Sequence, residues 1–255
     1  MMRQLLLAAF SFVLFPAWAQ TPETARPDTN KTDGSGHKQG IWMDPLNGLN
    51  WYGKYVDDKR EGAWTGYYAG WLPAKTEGYL HGKKNGSSFS IDRSGTFLQE
   101  DQYADDLLNG VCRTFYGGGR VKSEIHYKNG KLYGAKTLYT TDGKKQEDGV
   151  YINDVKEGTY RWYFSDGKIN TESNYKNGAL EGMQITFYPK SGVKASEVTY
   201  RNNLRQGPYK EYYEDGKPRT EGAFLDDLEE GAWKVYDETG KIHVVKYKKG
   251  VESKK

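Results

Sequence analysis

The chain has 255 residues with 37 Lys or Arg and 34 Asp or Glu, so its charge is nearly balanced. It has no basic block and no acidic tail, which argues against a nucleic-acid partner. Cys112 is the only cysteine, which excludes an internal disulfide, and its residue type suits a small apolar side chain better than a reactive thiol.

Residues 1–19 have the features of a secretory signal peptide. Arg3 supplies a positive start, residues 5–15 form an apolar run, and Ala17-Trp18-Ala19 is a small-x-small cleavage site. The run is too short to span ~30 Å of hydrocarbon at ~1.5 Å per residue. We therefore expect cleavage near Ala19 and an exported protein, either periplasmic or secreted.

Residues 20–39 are rich in polar residues and Pro and lack an apolar period, which predicts a flexible linker. From residue 40 to residue 255 one pattern recurs, Tyr-x-x-(Gly, Asp or Asn)-x-x-x-Gly. Its closing glycines, such as Gly134, Gly158 and Gly182, keep a constant spacing, with one extra residue before Gly207. A fixed period of this kind predicts a repeat domain, here of about nine 24-residue units.

The sequence of each unit predicts a β-hairpin. Positions within a unit are numbered from its closing glycine, which is position zero. In one unit, residues 159–164 and 168–175 have strand character, and Ser165-Asp166-Gly167 between them is a turn signal. Asn177-Gly178 begins the next reversal. Tyrosines are abundant and aliphatic residues scarce, which favours a single layer over a sandwich or barrel. The predicted fold is all-β, an elongated single-layer antiparallel meander of repeated β-hairpins.

Two registers are open for the predicted hairpin. A two-residue turn would pair Arg161 with Glu172. A three-residue turn would place the aromatic residue at position five, such as Tyr163, on one apolar face with the next strand. We favour the second register because a one-residue slip would split that face. In it Tyr163 shares a face with four residues: Ile169, Thr171, Ser173 and Tyr175.

The unit Tyr175-Lys-Asn-Gly178-Ala-Leu-Glu-Gly182, followed by Phe187 and Gly192, resembles the MORN repeat. The 24-residue period with Asp-Gly-Lys in mid-repeat is similar to the bacterial MORN-variant repeat, including the YwqK-family antitoxin group. The resemblance covers roughly residues 40–250. It implies an elongated antiparallel ribbon that contacts a partner or lipid. Standard MORN units carry a further glycine at position two, where bulky residues of this chain argue against lipid contact.

The chemistry-bearing residues do not indicate an enzyme, a metal site or a cofactor. The histidines fall at unrelated repeat positions: His37, His81, His126 and His243. A carboxylate recurs at one position of five units: Glu100, Glu124, Glu172, Glu197 and Glu221. Equivalent strands of the meander lie ~10 Å apart, too far for a retaining glycosidase pair or calcium ligands. We interpret this column as a solvated face.

Aromatic residues that the repeat does not require are candidate contact residues. They are Tyr160, Trp162, Phe164, Tyr188, Tyr209 and Tyr213. The other interpretation is that they pack under a curl of the sheet or under the linker. We expect an exported, non-catalytic scaffold that binds a protein partner, with an immunity or antitoxin-like role. The alternative is a glycan or cell-wall binding module that uses exposed aromatic side chains.

Overall fold

The structure is a computed structural model that describes residues 29–253, so the predicted signal peptide and residues 20–28 lie outside it. All regular structure in this range is β-strand. The strands are β1 (Lys31–Thr32), β2 (Lys38–Leu46), β3 (Leu49–Val56), β4 (Lys59–Tyr67), β5 (Pro73–Leu80), β6 (Lys83–Ile91), β7 (Phe97–Ala104), β8 (Leu107–Leu108), β9 (Gly110–Phe115), β10 (Val121–Lys128), β11 (Lys131–Tyr139), β12 (Lys145–Ile152), β13 (Val155–Tyr163), β14 (Ile169–Lys176), β15 (Ala179–Leu180), β16 (Gly182–Phe187), β17 (Lys194–Arg201), β18 (Leu204–Tyr212), β19 (Pro218–Leu225), β20 (Leu228–Tyr236), β21 (Ile242–Lys248) and β22 (Val251–Glu252).

The 22 strands form one antiparallel sheet in which each strand pairs with its neighbour along the chain. We call each strand position across the sheet a row. Two rows are each divided into two strands by a single residue, so β7 pairs with both β8 and β9, and β14 pairs with both β15 and β16. The sheet is an open single-layer meander, which confirms the predicted fold class. No helix in the described range 29–253 is long and apolar enough to cross a membrane.

The turns differ between the two edges of the sheet. At one edge, which we call the junction edge, turns have two residues with positive φ, such as Asn177 at 50° and Gly178 at 81°. This is the type I′ geometry that fits the twist of flanking strands. At the other edge, the tip edge, three residues form the turn, and Gly167 has a φ of 91°. There the Phe164 N–H donates to the Lys168 carbonyl at 2.8 Å.

Hydrogen bonds join neighbouring units at both edges of the sheet. At the junction edge the Gly178 N–H donates to the Lys156 carbonyl at 3.0 Å. At the tip edge the Tyr188 hydroxyl donates to the Tyr212 carbonyl at 2.7 Å. Because such contacts link neighbouring units only, the sheet is a quasi-one-dimensional array.

The three-residue tip turn agrees with the favoured register, but the predicted apolar face is wrong. Tyr163 pairs with Ile169, while Asn170 stays unpaired and Arg161 then pairs with Glu172. A bulge of one residue moves the following side chains to the other side of a strand. Three residues that were predicted to share a face with Tyr163 therefore lie opposite it: Thr171, Ser173 and Tyr175.

The sheet begins inside the segment that was predicted to be a linker. β1 pairs with the first residues of β2. The Asn30 N–H donates to the Ile41 carbonyl at 2.9 Å, and the Asp33 carboxylate accepts from the Ser35 N–H at 2.8 Å. These bonds give the segment from residue 29 a regular place at the end of the sheet, although its composition is polar.

Candidate partner-binding surface

One face of the sheet, which we call the aromatic face, carries Tyr160 and Trp162. Three of its buried rings lie at position two of their units: Trp64 is 0% exposed, Tyr160 2% and Trp233 7%. Each ring lies against a glycine of the preceding strand: Gly53, Gly149 and Gly222. A Cβ on Gly149 would lie 1.9 Å from Cδ2 of Tyr160. The ring thus occupies the space of a side chain, and only glycine fits beneath it.

Four units without that glycine have a smaller or polar residue at position two, namely Ser88, Cys112, Lys136 or Gln184, whereas in a fifth unit Tyr209 pairs with Val198. Glu77 pairs with Ser88, and Ser88 pairs on its other side with Asp101. The Gln184 amide donates to the Ser173 hydroxyl at 2.7 Å. In most units the residue at position two and its partner on the preceding strand therefore divide a limited volume between them.

The opposite face, which we call the ladder face, carries Arg161 and Glu172. Their side chains meet at 2.7 Å between Nε and Oε2. The Tyr163 hydroxyl donates to Asp148 at 2.8 Å, and the equivalent hydroxyl of Tyr212 donates to Glu197 at 3.0 Å. The carboxylate column is thus half-buried and bonded across the strands, which corrects the expectation of a merely solvated face.

Four segments of the chain match the MORN repeat variant. They are residues 108–129, 156–177, 205–226 and 229–248. No curated protein matches the chain. MORN repeats are typically scaffolds for protein or membrane interaction. Residues 132–153 and 180–202 lie between matched segments and form the same antiparallel hairpin.

The matched segment around Tyr160 places a cation against its rings. Nζ of Lys156 lies 4.1 Å from the ring centroid of Tyr160, 4.8 Å from that of Tyr175 and 5.2 Å from that of Trp162. Such contacts stabilise an ammonium group over an aromatic ring. Burial, with hydrogen bonds to Tyr151 and Glu147, raises the pKa of Tyr160 well above its usual range. These features belong to a packed core.

The six predicted contact residues differ in burial and in their hydrogen bonds. Tyr160 is buried, so its assignment as a contact residue is corrected: its ring fills the space over Gly149. Tyr188 and Tyr213 have a structural bond, because each hydroxyl donates to a carbonyl of the next tip at 2.7 Å. The five residues other than Tyr160 are half-buried: Trp162, Phe164, Tyr188, Tyr209 and Tyr213.

Trp162 departs most clearly from the repeat pattern. It stands at position four, where the other units have smaller or charged residues: Gly66, Ser90, Thr114, Leu138, Thr186, Glu211 and Val235. Its ring centroid lies 4.8 Å from that of Tyr160, which supports it from one side. Phe164 stands at position six, where Tyr116, Tyr188 and Tyr213 use hydroxyls that Phe164 lacks.

Packing and hydrogen bonds account for the pKa shifts of Glu77 and Cys112. Burial alone would raise the pKa of Glu77, but hydrogen bonds from Lys75, Lys84 and Tyr79 lower it to about 2. Burial raises the pKa of Cys112 to about 11, which keeps the thiol protonated and weakly nucleophilic at neutral pH. Among residues 29–253, no group of three or more His, Cys, Asp or Glu side chains could hold a metal ion.

Proposed function

We propose that the protein is an exported, non-catalytic repeat scaffold that binds a protein partner through Trp162 and Phe164. The observation that carries this proposal is the surplus ring of Trp162. The matched segments support the scaffold class, because MORN repeats are typically scaffolds for protein or membrane interaction. Residues 1–19 support export through their sequence pattern.

The surroundings of Trp162 suit a protein contact. The ring is half-buried and rests on Tyr160, so it is held in place before a partner arrives. Large rings with two rotatable bonds bury much area at a small entropic cost. Phe164 follows directly after β13 at the tip edge and is also half-buried. The pair therefore presents an ordered apolar surface.

The exported location bears on the role of such a scaffold. An immunity or antitoxin-like protein in an exported compartment would act on a toxin outside the cytoplasm. A scaffold suits this role because inhibition requires tight binding and no chemistry. The pKa shifts of Glu77 and Cys112 have causes in packing and ion pairing, which supports the non-catalytic part of the proposal.

Trp162→Thr is expected to weaken partner binding by over ~2 kcal/mol, because a central Trp often carries much of the interface energy. Thr already occupies position four in two other units, at Thr114 and Thr186, so the fold accepts it. The partner is first captured in the cell envelope by a photo-cross-linking amino acid at Phe164. Binding of the purified partner to wild type and variant is then compared by calorimetry.

The matched control is Met183→Thr, an exposed residue of the ladder face. It should leave both partner binding and thermal melting unchanged. The proposal is wrong if the probe at Phe164 captures no protein, or if the captured partner binds wild type and Trp162→Thr equally.

A further inference from the structure

One tip turn of the array contains a tryptophan in place of a glycine. At position nine the other units have glycines with positive φ: Gly95, Gly119, Gly143, Gly167, Gly216, Gly240 and, in the longer unit, Gly192. Trp71 occupies this place with a φ of 64°. A bulky residue in the left-handed region is an outlier, since its Cβ crowds the backbone. Such an outlier supports a hypothesis of function, because the turn itself requires only glycine.

The strained tryptophan belongs to a cluster of three rings. Its ring centroid lies 5.0 Å from that of Tyr52 and 5.6 Å from that of Tyr67. The centroids of Tyr52 and Tyr67 lie 5.9 Å apart. Tyr67 is 2% exposed and is the buried member of the cluster, whereas Tyr52 and Trp71 are half-buried. The cluster is therefore preorganised, with part of two rings accessible.

The cross-strand neighbours of these rings are uncharged. Thr65 pairs with Tyr52, Asn50 pairs with Tyr67, and Thr76 pairs with Thr65. In most other units the place of Thr76 is taken by a carboxylate, and the place of Thr65 is often taken by Arg or Lys. Within residues 29–253 no side-chain hydrogen bond engages Asn50, Thr65 or Thr76, and Asn50 is exposed. The charged ladder is thus replaced here by free hydroxyl and amide groups.

We propose that Tyr52, Tyr67 and Trp71 form a binding site for an uncharged oligosaccharide. A pyranose ring has an apolar face of C–H groups that packs on an aromatic ring, and its hydroxyls exchange hydrogen bonds with neutral polar side chains. The cluster offers the rings, and Asn50, Thr65 and Thr76 offer the hydrogen bonds. This site is on the ladder face and is independent of the protein contact proposed around Trp162.

The test uses two defined probes, the β-1,4-linked hexamers of glucose and of N-acetylglucosamine, with polygalacturonate as the charged comparison. Calorimetry and tryptophan fluorescence should show binding of at least one neutral hexamer and no preference for polygalacturonate. Trp71→Gly restores the residue of the other tips, and it should weaken binding by at least about tenfold through the lost ring contact. Its thermal melting should stay close to that of wild type.

A second variant, Thr65→Val, keeps the β-branched shape but removes a hydroxyl, and it should weaken binding by about threefold or more. Thr137→Val is its matched control, since Thr137 occupies the same position in another unit. The proposal is overturned if neither neutral hexamer binds, if polygalacturonate is preferred, or if Trp71→Gly binds like wild type. If Trp71→Gly fails to fold, unchanged binding by Thr65→Val overturns it, and weakened binding supports it.

Discussion

Gly149→Ala is expected to lower the free energy of unfolding by ~2–3 kcal/mol, although it adds a single methyl group. The added carbon would lie 1.9 Å from Cδ2 and 2.3 Å from Cε2 of Tyr160. Tyr160 cannot yield easily, because its ring is surrounded by the rings of Tyr151 and Tyr175 and by Lys156. Either the ring leaves its rotamer or the two strands separate locally, and urea unfolding measures the cost.

The control for this prediction is Gly117→Ala. Gly117 has open space where a Cβ would be added and a φ outside the left-handed region, so its change should stay within ~0.5 kcal/mol. Tyr160→Ser should remove the overlap, so the double variant with Gly149→Ala should cost less than the sum of the two single changes. Strictly additive costs would show that Gly149 and Tyr160 do not share the space.

Trp64→Ala is expected to have the largest effect, a loss of ~3–5 kcal/mol in the free energy of unfolding. The side chain is 0% exposed, its ring centroid lies 4.9 Å from that of Tyr55, and the Arg60 guanidinium lies 4.2 Å from its ring. Its Nε1 donates to the Lys54 carbonyl at 3.1 Å. Truncation would leave a cavity, an uncovered guanidinium and a carbonyl without this donor.

The matched comparison is Trp162→Ala, which removes the same side chain from a half-buried place on the same face. We expect it to cost less than half as much as Trp64→Ala. Because each unit contacts its neighbours only, Trp64→Ala should also speed amide hydrogen exchange in β3, β4 and β5 before it affects β18 to β20. Equal costs for the two tryptophans would contradict the assignment of Trp64 to the core.

The architecture could be predicted from the sequence because its signals are local. Asn177-Gly178 fits a two-residue type I′ turn, and Ser165-Asp166-Gly167 fits a three-residue turn, without reference to distant residues. The period of the closing glycines then requires neighbouring hairpins to stack. The matched segments and the sheet agree with both inferences.

The packed face could not be predicted in the same way. Whether Tyr163 lies with Glu172 or opposite it depends on the bulge at Asn170, which no turn signal marks. A second signal was present: a glycine in one strand faces a large ring in the next, as Gly149 faces Tyr160, and this pairing identifies the buried position two. Alternation along a strand assigns Tyr160 and Trp162 to one side but does not tell which of them is buried.

The central claim is that the repeats form one open layer rather than a folded-over core, and small-angle scattering in solution tests it most directly. The 22 strands form 20 rows, since two rows are split into two strands each. At ~4.8 Å per row a straight sheet would approach ~95 Å, and curl would shorten it. We predict a radius of gyration well above the ~17 Å of a compact domain of this length. A value near ~17 Å would contradict the single-layer array.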